Sequence, residues 1–378
     1  MMQEAASQID AHHNERMVHK IPVRNLWLLM LYASDLIRHQ GFAKRAMETM
    51  PDEIPDLVAE MLTALVTQRL KRNLSRNYIP EEANLWRVRG RIDHLKTACH
   101  RLLERGQVAC RYEALSINTP RNCYVRAALE SLARMGIRMA QAQRCRRLAS
   151  DLWRLGATSP KPNLAVLATD RFGRHDVADQ RMVAAAKLAF ELAMPTEQQG
   201  RHTLLRPDRN IDWIRRLYEK AVAGFYKINL RTQGWRVESG KMIHWPIQAQ
   251  TPGIDRILPS MRTDILLEHP DTQRRIIIDT KFNSILTQGW YRSESIRSSY
   301  IYQIYAYLKS QVDDIDPFSH HAEGILLHPT INKHLDESVV IQGHRIRFVT
   351  VDLSTEAATI RKQWLDLVAQ APGELHTS

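Results

Sequence analysis

Residues 261–282 of the 378-residue chain read MRTDILLEHPDTQRRIIIDTKF. Three consecutive isoleucines, Ile276 to Ile278, run directly into Asp279-Thr280-Lys281. A strand apolar enough to be buried should not end in two charges without a reason, because burying unpaired charge is costly. Side chains two apart on a strand share a face, so Asp279 and Lys281 project together and Thr280 lies opposite. Asp264 sits on the preceding apolar run, and His269-Pro270-Asp271 supplies turn residues between the two. If residue 268 pairs with 274, residue 264 opposes 278 and Asp264 is diagonal to Asp279. A one-residue bulge then brings both carboxylates to one face. Two carboxylates and a lysine at a sheet edge suit a hard divalent ion, Mg2+ with Mn2+ as a substitute, which takes oxygen ligands and keeps several waters. Held by Asp264 and Asp279, it would activate a water and neutralise charge on a scissile phosphate. Lys281 would orient that water or stabilise the developing charge. Taken alone, the Asp-x-Lys triplet is more simply an exposed ion pair beside a strand end.

Other residues add weight. Glu219 sits at the margin of the apolar stripe of an amphipathic segment, 211–226, where it could reach the site. Gln303 and Tyr307 lie four apart, on one face of the helix expected after the Asp-Thr-Lys strand. Either residue taken singly is equally a polar edge on a core helix.

The elements that must position these residues follow from periodicity. Helices are expected over 21–40, 54–71, 121–153, 179–194, 211–226, 301–310 and 356–369, and strands over 241–247, 263–268, 274–282, 324–329 and 346–353. Residues 87–93, RVRGRID, alternate basic and apolar side chains around Gly90 and read as an exposed strand or hairpin. The second half alternates helices with strand groups, which predicts an α/β layer with a mixed sheet. Proline, glycine and polar residues cluster over 195–210 and place a boundary there. The expected organisation is a polar flexible leader (1–18), an N-terminal region (19–200) of mixed α+β and then helical character, and an α/β region (201–378).

Composition bounds the rest. Lys plus Arg is 53 and Asp plus Glu is 41, a formal charge of +12 with pI about 9.7. Ordinary apolar content excludes a fibrous or wholly disordered chain, and the basic balance makes a polyanion a natural partner. Residues 134–148 carry five arginines, as a solvated helix face or as a contact surface. The four cysteines show no CxxC pair and read as reduced, mostly buried thiols. No stretch approaches the roughly 20 apolar residues of a membrane span, so a cytoplasmic protein is expected.

A helix with Glu219, a strand with Asp264, a strand with Asp279-x-Lys281 and a helix with Gln303 and Tyr307 together resemble the PD-(D/E)XK nuclease superfamily. Thr263-Asp264 stands where that superfamily has Pro-Asp, and the Gln-x3-Tyr helix looks like that of its RecB-like members. Residues 21–36, IPVRNLWLLMLYASDL, are similar to the N-terminal signature of the McrC family, the nuclease subunits of 5-methylcytosine-specific restriction systems. VRGRIDHLKT (88–97), LSINTPRNCYVRAAL (115–129), LYEKAVAGFY (217–226), LPSMRTDILL (258–267) with IIIDTKF (276–282), and YQIYAYL (302–308) complete the series in order.

This resemblance implies a PD-(D/E)XK fold for 201–378, a mixed central sheet flanked by helices, behind an N-terminal domain that binds a partner. It implies an endonuclease that cuts double-stranded DNA with Mg2+ and stimulates a separate hexameric AAA+ GTPase, which recognises methylated DNA and brings the GTP. The chain itself has no GxxxxGK[ST] loop. Carried over by position, Asp264 and Asp279 are metal ligands, Lys281 is the catalytic lysine, and Glu219 and Gln303 assist. Arg24 and Asn25 are candidate partner contacts, or equally caps and tethers of the helix that starts there. Cutting both strands favours a pair of nuclease domains. Two other readings remain open: a stand-alone RecB-like repair nuclease, and a catalytically inactive adaptor of the ring.

Overall fold

The structure is a computed structural model that describes residues 17–18, 21–34, 53–173, 176–197, 207–283, 285–287, 295–330 and 334–369. The chain divides into two compact units, residues 55–196 and residues 1–54 with 197–378.

In the unit formed by 1–54 and 197–378, elements are numbered in chain order. Helix α1 is Val23–Ala33, with Pro22 as its N-cap. The expected end of this helix, 35–40, lies outside the described residues, as does most of the expected leader. Leu26, Leu28, Leu29, Met30 and Leu31 are all buried, so the helix is apolar around most of its circumference, as a core helix must be. Its partner is α2, Pro207–Asn229. The stripe Ile214, Leu217, Tyr218, Ala221, Val222 and Phe225 is buried. The two helices approach so closely that a Cβ on Gly224 would sit 1.9 Å from Tyr32 O. Asn25 is 1% exposed, and its Nδ2 donates to Leu353 O (2.8 Å) and Thr355 O (2.9 Å). It is therefore a tether within this unit. The expected partition put 19–54 with the N-terminal region. Here α1 instead supplies core to the unit that holds the Asp-Thr-Lys strand, because its apolar surface matches the stripe of α2.

The sheet comprises β1 (Arg236–Ser239), β2 (Ile265–His269), β3 (Arg274–Thr280), β4 (Glu323–Thr330), β5 (Asp336–Ile341) and β6 (His344–Asp352). Their spatial order is β5-β6-β4-β3-β2-β1. The β3–β4 and β4–β6 pairs are parallel and the others antiparallel, so the sheet is mixed. Helix α3, Ser298–Lys309, makes the crossover from β3 to β4. A Cβ on Gly324 would meet Ile304 Cγ1 at 2.7 Å, so glycine lets α3 lie flat on β4. Helix α4, Ala357–Ala369, closes the unit, with Trp364 fully buried. The fold class is mixed α/β, a mixed sheet flanked by helices. The expected strand 241–247 is shorter, Met242–Ile243 paired with Met261–Arg262, and the rest of it is exposed. Strands β1 and β5 have no counterpart in the sequence reading. Both are edges with mostly exposed residues, so no apolar run marks them.

The unit 55–196 holds a three-stranded antiparallel sheet, Asn77–Leu85, Val108–Ser116 and Arg91–Ile92, with helices that include Pro120–Leu132, Met139–Arg154 and Val177–Glu197. The basic 87–93 segment supplies only the two-residue strand. Gly90 has φ +67°, and a Cβ there would meet Arg111 O at 2.4 Å. Arg144, Arg146 and Arg147 are exposed while Cys145 and Leu148 are buried, so that charge lies on a solvated face. All four cysteines are free, three of them buried. Among the described residues no helix is long and apolar enough to cross a membrane.

Candidate functional site

The site grows out of the end of β3. Ile276, Ile277 and Ile278 are at most 1% exposed, and the burial continues into Asp279 at 1%. β3 pairs with β2 in the register Arg274↔His269, Arg275↔Glu268 and Ile278↔Ile265. This is one residue away from the expected register. Extended by one step, it sets Asp264 directly across from Asp279, so no bulge is needed to bring the carboxylates together. The six-residue span expected between partners is closed by the tighter turn at Pro270–Thr272.

The backbone at the strand end explains how Asp264 is held. Lys281 N–H donates to Leu327 O on the β4 side (2.9 Å). The N–H of Thr280 faces the other neighbour, beyond the end of the β2 ladder, and donates to Asp264 Oδ2 (2.8 Å). The Thr280 hydroxyl donates to the same oxygen (2.8 Å). Thr280 was expected on the far side of the sheet. It instead fixes the first carboxylate, because the ladder has ended and Asp264 reaches along the strand edge.

Lys281 Nζ lies 2.6 Å from Asp279 Oδ2, an ion pair off the hydrogen-bonding angles, and Asp279 Oδ1 is buried with no hydrogen-bond partner. Burial pushes the Asp279 carboxyl up to about 6; the Lys281 ammonium opposes that rise, and the Asp264 and Glu219 carboxylates add to it. Burial likewise raises Glu219 on α2, and Asp264 raises it further. Asp279 and Glu219 thus both sense the charge of Asp264. Among the described residues, no group of three or more His, Cys, Asp or Glu side chains stands close enough to hold a metal ion by itself. The donor set fits an ion that keeps several waters and uses one or two carboxylates. A buried, unpartnered carboxylate oxygen on Asp279 is what such an ion would satisfy.

Helix α3 steadies the Asp264 side. Gln303 Nε2 donates to Tyr307 OH (2.6 Å), and Tyr307 OH donates to Arg262 O (2.9 Å), two residues before Asp264. Tyr307→Phe is expected to leave the fold intact and lower any cleavage rate by about tenfold, the effect of freeing a partly buried carbonyl worth roughly 1–2 kcal/mol. Single-turnover kinetics check this; an unchanged rate would remove Tyr307 from the positioning of Asp264.

Glu219, Asp264, Lys281 and Gln303 line one pocket of about 290 Å³, and Asp279 lies behind Lys281 rather than on the wall. The same wall carries Arg215, Asn283 and Tyr300, which the sequence reading did not single out. Asn283 Nδ2 donates to Tyr300 OH (2.5 Å), and the Asn283 carbonyl meets buried His328 Nδ1 (3.0 Å), so the turn after Lys281 is pinned from two sides. Helical spacing held a signal for two of these three: Arg215 is four residues before Glu219, and Tyr300 is three before Gln303.

The family described as McrBC 5-methylcytosine restriction system component matches residues 4–316. Over 353 residues the chain is 22% identical to the type IV methyl-directed restriction enzyme EcoKMcrBC of Escherichia coli (strain K12), covering 92% of this chain and 97% of that protein. A half-complex of Thermococcus gammatolerans McrB AAA+ hexamers with bound McrC aligns over 92% of this chain and 76% of its own, at 13% identity and TM-score 0.42. The Thermococcus gammatolerans McrBC complex aligns over 47% of this chain and 57% of its own, at 15% identity and TM-score 0.29. With its site assembled at the end of β3 and most of its length matched, the chain belongs to the family of McrBC 5-methylcytosine restriction system components.

Proposed function

We propose that the chain is the Mg2+-dependent endonuclease subunit of a GTP-driven restriction system directed at 5-methylcytosine, acting in the cytoplasm on double-stranded DNA, and that 201–378 carries a PD-(D/E)XK nuclease core. The observation that carries this reading is the buried Asp279, one oxygen unpartnered, beside Lys281 and across from Asp264, two residues that line the pocket. Family membership and the motif order support it.

Asp264 and Asp279 would hold the divalent ion, which supplies an activated water and neutralises charge on the phosphodiester. Thr280 fixes Asp264 through two hydrogen bonds, so this ligand is set before substrate arrives. Lys281 is paired with Asp279; with that carboxylate engaged by a divalent ion, its ammonium would be available to a phosphate oxygen, where it would stabilise developing charge. Gln303 and Tyr307 hold the strand that leads into Asp264. Hydrolysis leaves a phosphate on one side of the cut and a hydroxyl on the other. The hexameric AAA+ GTPase partner brings GTP and the recognition of methylated DNA, and a pair of nuclease domains cuts both strands.

The test mixes the purified chain with its AAA+ GTPase, methylated plasmid, GTP and Mg2+. Cutting is expected only with all components present. Lys281→Ala should slow cutting by about 10²–10³-fold, the effect of losing one charge-stabilising donor, while stimulation of GTP hydrolysis persists. Rapid cutting without the partner would overturn the division of labour, and wild-type cutting by Lys281→Ala would overturn the site.

A further inference from the structure

One cation at the pocket mouth has no part in the chemistry above. Arg215 lies on α2 one turn before Glu219 and lines the same pocket as Asp264 and Lys281. Its side chain is 54% exposed, and among the described residues its one ion pair is with the equally exposed Asp212, at 4.0 Å. A contact that long between two solvated groups binds the guanidinium weakly. No ion pair joins Arg215 to Glu219, although the two share a helix face. Arg215 is therefore a cation facing the pocket and uncommitted to its acidic wall.

The charge balance of the site calls for such a group. Asp264, Asp279 and Glu219 carry three negative charges when ionised. Lys281 offsets one and a divalent ion would offset two more, so without Arg215 the pocket's own lining gives an incoming phosphodiester no net attraction. Around Tyr300 the hydroxyl already accepts from Asn283, Lys281 Nζ sits 5.3 Å from the ring centroid, and the Arg297 guanidinium, 5.9 Å from it, does not line the pocket. A guanidinium presents a planar fork of donors that matches two phosphate oxygens, which an exposed ammonium cannot do.

We propose that Arg215 grips a backbone phosphate next to the scissile bond and so seats the DNA strand over Lys281 and the carboxylates. This rests on the nuclease reading of the site and adds a substrate contact to it. Short duplex DNA in Ca2+ is the binding probe, followed by fluorescence anisotropy across a salt series. Arg215→Ala is expected to weaken binding by about tenfold and to lower the slope of log affinity against log salt by about one, the signature of one lost phosphate contact. In cleavage, KM should rise more than kcat falls, and Arg215→Lys should recover part of the loss. Arg216→Ala makes the same charge change on an exposed neighbour outside the pocket and should leave the slope unchanged. The thermal stabilisation conferred by Mn2+ should survive in Arg215→Ala, because this residue holds no metal. Wild-type affinity and slope in Arg215→Ala overturn the proposal, as does an equal shift in Arg216→Ala, which would mean a diffuse basic surface. Failure of the underlying nuclease reading shows separately, as Asp279→Asn protein that still cuts.

Discussion

Asp279→Asn is expected to abolish DNA cutting while making the metal-free protein more stable at neutral pH. The two effects have one cause. A carboxyl held near 6 rather than at its ordinary 3.8 retains its proton more tightly in the folded state, by about 3 kcal/mol. Between those values the folded chain binds more protons than the unfolded chain, so stability falls as pH rises through that window. Above about pH 7 the full cost of a buried, ionised Asp279 is present, because the attraction of Lys281 is smaller than the effect of burial. A neutral amide of the same shape removes that cost. The attraction of Lys281 is already included in the value near 6, so the net effect is a stabilisation of up to about 3 kcal/mol at pH 7.5 that vanishes near pH 4. In a domain of this size that raises Tm by several degrees. Added Mn2+ should raise the Tm of the wild type and leave Asp279→Asn almost unmoved. Cutting should fall by at least about a thousandfold, since the proposed ion would contribute several kcal/mol at the transition state. Thermal melts at the two pH values, with and without Mn2+, read the stability arm. A variant less stable than wild type at pH 7.5, or one that responds equally to Mn2+, would show that Asp279 is a structural ion-pair partner and not a poised ligand.

The same carboxylate shows which parts of this protein could be read from its sequence. Ile276 to Ile278 announce a buried strand, and the charges that follow announce a reason for their burial; both signals are local. The register was not local. Whether 268 or 269 pairs with Arg274 depends on the turn through Pro270–Thr272, and a register one residue away displaces Asp264 and requires a bulge that the β2–β3 pair does not contain. Thr280 shows a related limit. Period-two alternation holds inside a ladder, whereas its bonds to Asp264 form where the ladder has stopped. The edge strands β1 and β5 bury too little to leave a pattern. Beyond its spacing from Glu219, Arg215 carries no signal in the sequence, because an arginine on the polar side of an amphipathic helix is ordinary; only the pocket it lines sets it apart.

Residues 201–378, the region that the linker-like stretch 195–210 suggests as a separate domain, are expected not to fold cooperatively when expressed alone. Leu26, Leu28, Leu29, Met30 and Leu31 of α1, a helix of the unit that holds the site, are each at most 1% exposed. Tyr32 packs edge-on against Phe225 of α2 at 5.3 Å and against Trp364 of α4 at 6.2 Å. Burying one such side chain stabilises by about 1.5–3 kcal/mol, so five amount to about 8–15 kcal/mol, as much as the whole net stability of a typical domain. Without α1 the apolar stripe of α2 faces water, and the carbonyls of Leu353 and Thr355 lose the Asn25 amide. A chain joining 17–54 to 197–378 through a flexible linker should recover a single sharp unfolding transition. Gly224→Ala tests the same contact without truncation. Its methyl would have to displace the Tyr32 carbonyl, now 1.9 Å from where that Cβ would lie. A backbone cannot yield as a side chain end does, so the loss should reach about 3 kcal/mol, the upper end of ordinary overpacking. Chemical denaturation of the full chain measures it. A 201–378 fragment that melts as sharply as the intact protein, or a Gly224→Ala variant of unchanged stability, would mean that α1 is an accessory to this unit; its close packing on Gly224 instead makes it part of the core on which α2, and with it Glu219, is mounted.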